Sequence, residues 1–471
     1  MHTPCLMALL HMLVPLMSHA APVAYTDAQL KLQVASLPGA PSVPWKMFSG
    51  YIRIPGRGRI FYWFVESQGA SPLDDPLLLW TNGGPGCSGL IGFLTENGPF
   101  RPTAAGNLTL NPYAWNGLAN MVYVEQPVGV GYSVADGVLS YGDASSAADN
   151  LEFVKGFFAA FPQYKASDFY LTSESYGGHY LPTLSAAIVG DGGITNFRGF
   201  LVGNPITWLT YTNYGMYGTF HGHQLLPKPL WDEYVAADCR NAPGLDPGPT
   251  CANITARMDE LTKHLDPYGL DFPKCNDAPL ANGGRHERWT MARATRPRDA
   301  QLGYYPYFPR DYQPCTADWA TTYLSRKDVQ QALHAQPGGP TWAGNWSACA
   351  NIAYSQQDVA APMMPVYKKL LGAKPPIRMV IMSGDDDSVC ATLGTQQFIW
   401  DLGRPIKHAW APWFLEDGPA CPGPACKQVG GYAVGFDGIS LVTVHGAGHL
   451  APATRPAQAF HVLKTFLGGG W

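Results

Sequence analysis

Short apolar runs that stop abruptly at polar, glycine-rich motifs, with helical patterns between them, restrict this chain more than any other feature. Residues 76–80 (PLLLW) run straight into TNGGPGCSG. Residues 120–124 (NMVYV) and 169–172 (FYLT) repeat the theme, with a helix expected over about 144–161 between them and SESYGG after the second run. Continuous apolar runs of this length read as strands buried on both faces. Strand, helix, strand at such spacing predicts an α/β fold with a mostly parallel central sheet and flanking helices. A second helix to about residue 189, a strand over 197–202 leading into GNP, and strands over 378–382 and 439–444 extend the pattern. Residues 47–54 and 60–66, separated by PGRGR, read as a hairpin.

The alternation ceases near Trp208. Residues 209–325 carry aromatics, four cysteines and many turn residues, and read as a cap inserted into a core formed by 21–208 and 326–471. Within the cap, 285–298 (RHERWTMARATRPR) reads as an exposed, protease-sensitive loop, with a short basic surface helix as its equal alternative. The core pattern resumes at SRKDVQQALHA, where Ser325 is the expected N-cap and Asp328 sits in the capping-box position.

Only 14% of the 471 residues are charged, against roughly 25% in ordinary soluble domains. That composition suits a large buried sheet and excludes general disorder. A net charge of −4 without a Lys/Arg block gives a nucleic-acid partner no support. Residues 1–20, MHTPCLMALLHMLVPLMSHA, read as a secretory signal peptide, and nothing later resembles a membrane span. Its removal leaves nine cysteines, an odd number that implies up to four disulfides and one free thiol in an exported chain. Sequons at Asn107, Asn253 and Asn345 agree with that route and mark expected glycosylation sites.

Ser175 lies in SESYGG between a strand and a helix, where a sharp turn exposes a hydroxyl. The motif departs from G-x-S-x-G at Ser173, whose hydroxymethyl must fit where backbones approach closely. Asp387 follows a strand within SGDDD and His449 follows another within HGAGH, giving Ser, Asp, His in α/β-hydrolase order. In this arrangement His449 takes the Ser175 proton and returns it to the leaving group, while Asp387 orients the imidazole. Asp385, Asp386 and His445 compete on paper for the same roles. The segment 82–86 (NGGPG) is the natural oxyanion loop, with the amides of Gly84 and Tyr176 as donors.

These residues resemble the serine carboxypeptidase family, through PLLLWTNGGPGCSGL, ENGPF, VYVEQPVGVGYS, SESYGGHYLP, GFLVGNP, SGDDDSVCATLGTQ and HGAGHLAP in family order. The resemblance implies an α/β-hydrolase fold and removal of C-terminal residues from peptides through an acyl-enzyme, best at acidic pH. It makes Ser175, Asp387 and His449 the triad, Gly84 and Tyr176 the oxyanion donors, and Asn82, Gly83, Glu96 and Glu174 the group that binds the substrate's terminal carboxylate. Two carboxyl side chains tolerate a carboxylate ligand only if they keep protons. The resemblance also pairs Cys87 with Cys349, Cys239 with Cys251 and Cys275 with Cys315. Cys421 and Cys426 remain as a local pair and Cys390 as the free thiol near the site. Trp208, Tyr211, Tyr214, Tyr217 and Phe220 read either as a specificity pocket or as cap packing. No cofactor or metal is expected. Peptide or protein C-termini are the expected partners, a homodimer is a possible assembly, and the expected destination is secretion or a lysosome or vacuole. The alternatives are an acyltransferase sharing the triad, as in plant relatives that commonly change the asparagine and glutamate positions retained here, and a protective or binding protein for a partner glycosidase.

Overall fold

The computed structural model describes residues 23–275, 312–335, 344–415 and 428–471. The expected signal peptide, the basic segment 285–298 and the Cys421/Cys426 pair lie outside them. Among the described residues, no helix is long and apolar enough to cross a membrane.

Ten strands lie along one sheet: β1 (Met47–Ile54), β2 (Gly58–Val65), β3 (Leu77–Thr81), β4 (Asn120–Glu125), β5 (Phe169–Ser175), β6 (Phe197–Pro205), β7 (Arg378–Gly384), β8 (Ile406–Leu415), β9 (Gln428–Phe436) and β10 (Ile439–Val444). Their spatial order is β1-β2-β4-β3-β5-β6-β7-β10-β9-β8, and a short eleventh strand, Val134–Ala135, pairs with β2. The six central strands, β4 to β10, are parallel, and antiparallel strands flank them on both sides. This is the α/β-hydrolase architecture.

Two-residue alternation divides the sheet into two faces. Tyr62, Phe64, Leu77, Leu79, Val122 and Val124 join one apolar cluster with Phe153 and Phe157 of α1 (Asp143–Ala160) and Leu181 and Leu184 of α2 (Gly177–Asp191). Their neighbours Phe61, Trp63, Leu78, Trp80, Met121 and Tyr123 join a second cluster on the opposite face. Each fully buried side chain of this size contributes about 1.5–3 kcal/mol, so neither face is dispensable.

Beyond β6 the chain forms α3 (Leu209–Gly222), α4 (Lys228–Ala236) and α5 (Gly248–Thr262). These share a third cluster that includes Tyr217, Phe220, Leu230, Tyr234, Ile254 and Met258. Tyr217 and Phe220 therefore pack inside this helical cluster, and Tyr211 donates a hydrogen bond to Asp401 at 2.6 Å.

One local expectation is corrected. Ser325 does not start a helix: it continues the right-handed backbone at the end of α6 (Thr316–Leu324), and its N–H donates to Thr321 O at 3.1 Å. The extended residue is Arg326, which caps α7 (Lys327–Ala332) and pairs with Asp328 at 2.7 Å. Two helices meeting without a linker leave only one residue free to turn, and the guanidinium secures that residue.

Candidate active site

Parallel strands bring their carboxyl ends to one edge. Ser175 ends β5, Asp387 follows β7 and His449 follows β10. Ser175 has φ of 58°, the left-handed region that a non-glycine residue adopts only under structural constraint. Its carbonyl accepts the Ile206 amide at 2.8 Å, and α2 begins two residues later, so the hydroxyl stands on a forced turn. The hydroxymethyl of Ser173 fits because Gly177 faces it: a Cβ at 177 would lie 2.1 Å from Ser173 Oγ.

The three aspartates separate by geometry. Asp385 accepts from Gly446 N at 2.6 Å and pairs with exposed His445 at 2.8 Å. Asp386 accepts from Asp271 N at 3.1 Å. Asp387 alone meets His449, with 2.7 Å between Oδ2 and Nδ1, and both side chains are buried. Asp387 also accepts from Val389 N at 2.8 Å, Cys390 N at 3.1 Å and Asn204 Nδ2 at 2.9 Å. These three donors fix the buried side chain against the imidazole.

Asn204 was not singled out in the sequence, although GNP directly after a strand was its signal. Its amide oxygen accepts from Gly384 N at 3.0 Å, which ties the end of β6 to β7. Tyr268 had no signal, because it comes from an irregular segment far from His449 in the chain. Its carbonyl accepts the His449 amide at 2.7 Å and its ring packs edge-on at 5.1 Å.

Loop 82–86 lies against the start of α2. A Cβ at Gly83 would stand 2.4 Å from Tyr176 N, so only glycine lets the loop approach that amide. The first amides of a helix lack intrahelical partners and carry the positive end of its dipole. The Cys87–Cys349 disulfide, together with hydrogen bonds from Ala350 N to Gly86 O at 2.9 Å and from Gly86 N to Tyr180 OH at 3.2 Å, anchors the loop. Behind Tyr176, Asp143 accepts from the Tyr176 and Tyr354 hydroxyls at 3.0 and 2.8 Å and pairs with His179 at 2.9 Å. Burial acts to raise the Asp143 pKa, but these hydrogen bonds outweigh it and hold the group below the usual carboxylate range.

Asn82 joins Glu96 and Glu174. Its amide oxygen accepts from Trp80 Nε1 at 2.9 Å and Gly92 N at 3.0 Å, which turns its NH2 toward the glutamates. That NH2 donates to Glu96 Oε1 at 3.0 Å and Glu174 Oε1 at 2.7 Å. The other oxygen of each glutamate is buried without a donor. Oxygens buried in this way favour the protonated form of the acid. Burial raises both pKa values, and the charge of Glu96 lifts Glu174 further, well above the usual carboxyl range.

Cys390 is buried and free, three residues beyond Asp387. Burial pushes this thiol well above its ordinary pKa, with the Asp387 charge acting in the same direction. Disulfides also join Cys239 to Cys251 and Cys275 to Cys315, and Asn107, Asn253 and Asn345 are all exposed.

Residues 38–469 match the family model described as serine carboxypeptidase. The chain belongs to the serine carboxypeptidase family. Serine carboxypeptidase 24 of Arabidopsis thaliana is 34% identical, covering 97% of this chain and 97% of its own. P-(S)-hydroxymandelonitrile lyase of Sorghum bicolor is 35% identical over 94% of this chain and 86% of its own. A prohormone-processing carboxypeptidase from Saccharomyces cerevisiae shares the fold with a TM-score of 0.72 at 20% identity, covering 94% of this chain and 96% of that one. A lyase among serine carboxypeptidase relatives makes the individual site, rather than the fold, the guide to the reaction.

Proposed function

We propose that this member of the serine carboxypeptidase family removes single residues from peptide C-termini through an acyl-enzyme on Ser175. His449 takes the Ser175 proton as the hydroxyl attacks the last peptide bond, and returns it to the departing amine. Asp387 keeps the imidazole in the required tautomer. The amides of Gly84 and Tyr176 donate to the oxyanion, and water then releases the acyl group by the reverse proton path.

The observation that carries an exopeptidase reading is the Asn82–Glu96–Glu174 cluster beside Ser175. Protonated carboxyls and amide donors suit a free carboxylate, and a peptide held by its terminal carboxylate presents only its last bond for cleavage. Gly83 lines the same corner. Three disulfides among the described residues support passage through an oxidising secretory route, with secretion or a lysosomal or vacuolar destination and glycosylation at the exposed sequons.

Time-resolved mass spectrometry of peptides tests this reading. Wild-type protein trims successive C-terminal residues, amidated peptides resist, and Ser175→Ala stays folded with activity reduced by a factor of about a million. Equal cleavage of amidated and free-acid peptides would remove the exopeptidase reading, and turnover by Ser175→Ala would remove the nucleophile.

A further inference from the structure

Asp386 stands between two aspartates that pair with histidines, yet it pairs with neither. It is 3% exposed. Its Oδ2 accepts from Asp271 N at 3.1 Å, while Oδ1 is buried without a hydrogen-bond partner. Its carbonyl accepts the Leu270 amide at 3.1 Å, so residues 270 and 271 fold directly over it. The carboxylate of Asp271 and the ring of His223, just past α3, reach the same spot. One ligand-capable atom from each of His223, Asp271 and Asp386 lies within 4.8 Å of the other two. His223 and Asp271 are exposed, so the cluster opens to solvent on one side.

Two carboxylates at this separation repel, and a buried carboxylate oxygen without a donor is costly. Arg455 offsets part of the charge on Asp386 but gives Oδ1 no hydrogen bond. A bound cation answers both problems. One imidazole nitrogen with two carboxylates is the donor set of a borderline first-row ion, whereas calcium and magnesium favour oxygen-only shells. Tetrahedral bonds of about 2.0–2.2 Å bring ligand atoms to roughly 3.4 Å apart. The present spread closes by rotation of His223 and Asp271, whose side chains are exposed, around a fixed Asp386.

We propose that His223, Asp271 and Asp386 form a binding site for one divalent transition-metal ion, best matched by Zn2+, with water in the fourth position. The ion joins three separate pieces: the end of α3, the segment around 271, and the loop after β7. That loop continues into Asp387, and the 271 segment begins near Tyr268, whose carbonyl accepts the His449 amide. Occupancy therefore fastens the cap segment onto the loops that carry Asp387 and His449, without contact with Ser175.

The test is calorimetric titration of ZnCl2 into chelator-treated full-length protein, with thermal unfolding in parallel, for wild type, His223→Ala, Asp271→Asn and Cys390→Ala. Expected are one site per chain, a raised unfolding midpoint, affinity reduced about tenfold or more in His223→Ala and in Asp271→Asn, and unchanged binding in Cys390→Ala. Metal-free hydrolysis by His223→Ala and Asp271→Asn at the wild-type rate shows that both variants fold. Absence of binding, or unchanged affinity in either of these two variants, overturns the site. So does loss of binding in Cys390→Ala, which assigns the ion to Asp387, Cys390 and His449, whose ligand atoms also lie within 4.8 Å of one another.

Discussion

Asn82 shows how one residue sets the chemistry of its neighbours. Because Trp80 and Gly92 occupy its carbonyl, its two N–H donors are committed to Glu96 and Glu174. Those donors satisfy one oxygen of each acid, and the other oxygen of each is buried without a hydrogen-bond partner. The consequence for pH follows from the sign of the shifts. Both acids are raised above the ordinary value of 4.5, chiefly by burial, so the folded protein retains a proton that the unfolded chain releases. Stability then falls as pH rises above about 4.5 and through the raised folded values. Binding of a free carboxylate weakens over the same window, because that proton is lost. Glu174→Gln removes one acid without changing its size. The expected result is a loss of about 10- to 100-fold in kcat/KM for free-acid peptides at acidic pH, a flatter pH profile, and greater thermal stability at neutral pH. Superimposable pH profiles for wild type and variant would show that the pair does not govern carboxylate binding.

Elements were legible in the sequence to the extent that burial wrote them there. Strands β3 to β7 and β10 appear as continuous apolar runs because helices cover both of their faces, and α1 came within one residue of its expected span. Strands β8 and β9 had no such mark: β8 is exposed from Ile406 to Pro412 and its register with β9 shifts at three places, so no burial pattern announced it. The order Ser175, Asp387, His449 and the glycines of 82–86 were legible as local motifs. Tyr268 was not, since its position over His449 depends on the path of the chain after α5. Backbone contact between elements was equally hidden. A Cβ at Gly215 of α3 would lie 2.8 Å from the backbone N of Gly394 in α8 (Thr392–Asp401), so these helices meet backbone to backbone. Gly215→Leu overpacks that contact and should cost about 1–3 kcal/mol in urea unfolding. Gly222→Leu, near the end of the same helix with nothing within 4 Å of its Cβ, is the control and should leave the midpoint close to wild type.

At the scale of the molecule, separate apolar clusters must act together, among them two on opposite faces of one sheet and one within α3, α4 and α5. Hydrophobic burial holds each cluster but does not by itself set the position of a glycine loop to within the fraction of an ångström that an oxyanion site requires. The Cys87–Cys349 disulfide supplies a constraint of a different kind, because it joins residues 262 positions apart in the chain. Closing so long a loop restricts the unfolded chain, and losing a native disulfide typically costs about 2–5 kcal/mol. The bond also fastens the end of loop 82–87 to residues 348–350. Paired replacement, Cys87→Ser with Cys349→Ser, should therefore lower stability by that amount and kcat by about 10- to 100-fold, since displacing a positioned donor by an ångström is enough. The pairings of Gly86 with Ala350 and Tyr180 remain in the variant and keep the loop from being lost altogether. Thermal unfolding measured beside kcat and KM separates the two effects. A fall in stability with kcat unchanged at 25 °C would mean that the hydrogen bonds alone position the loop, and that the disulfide acts only on the unfolded chain.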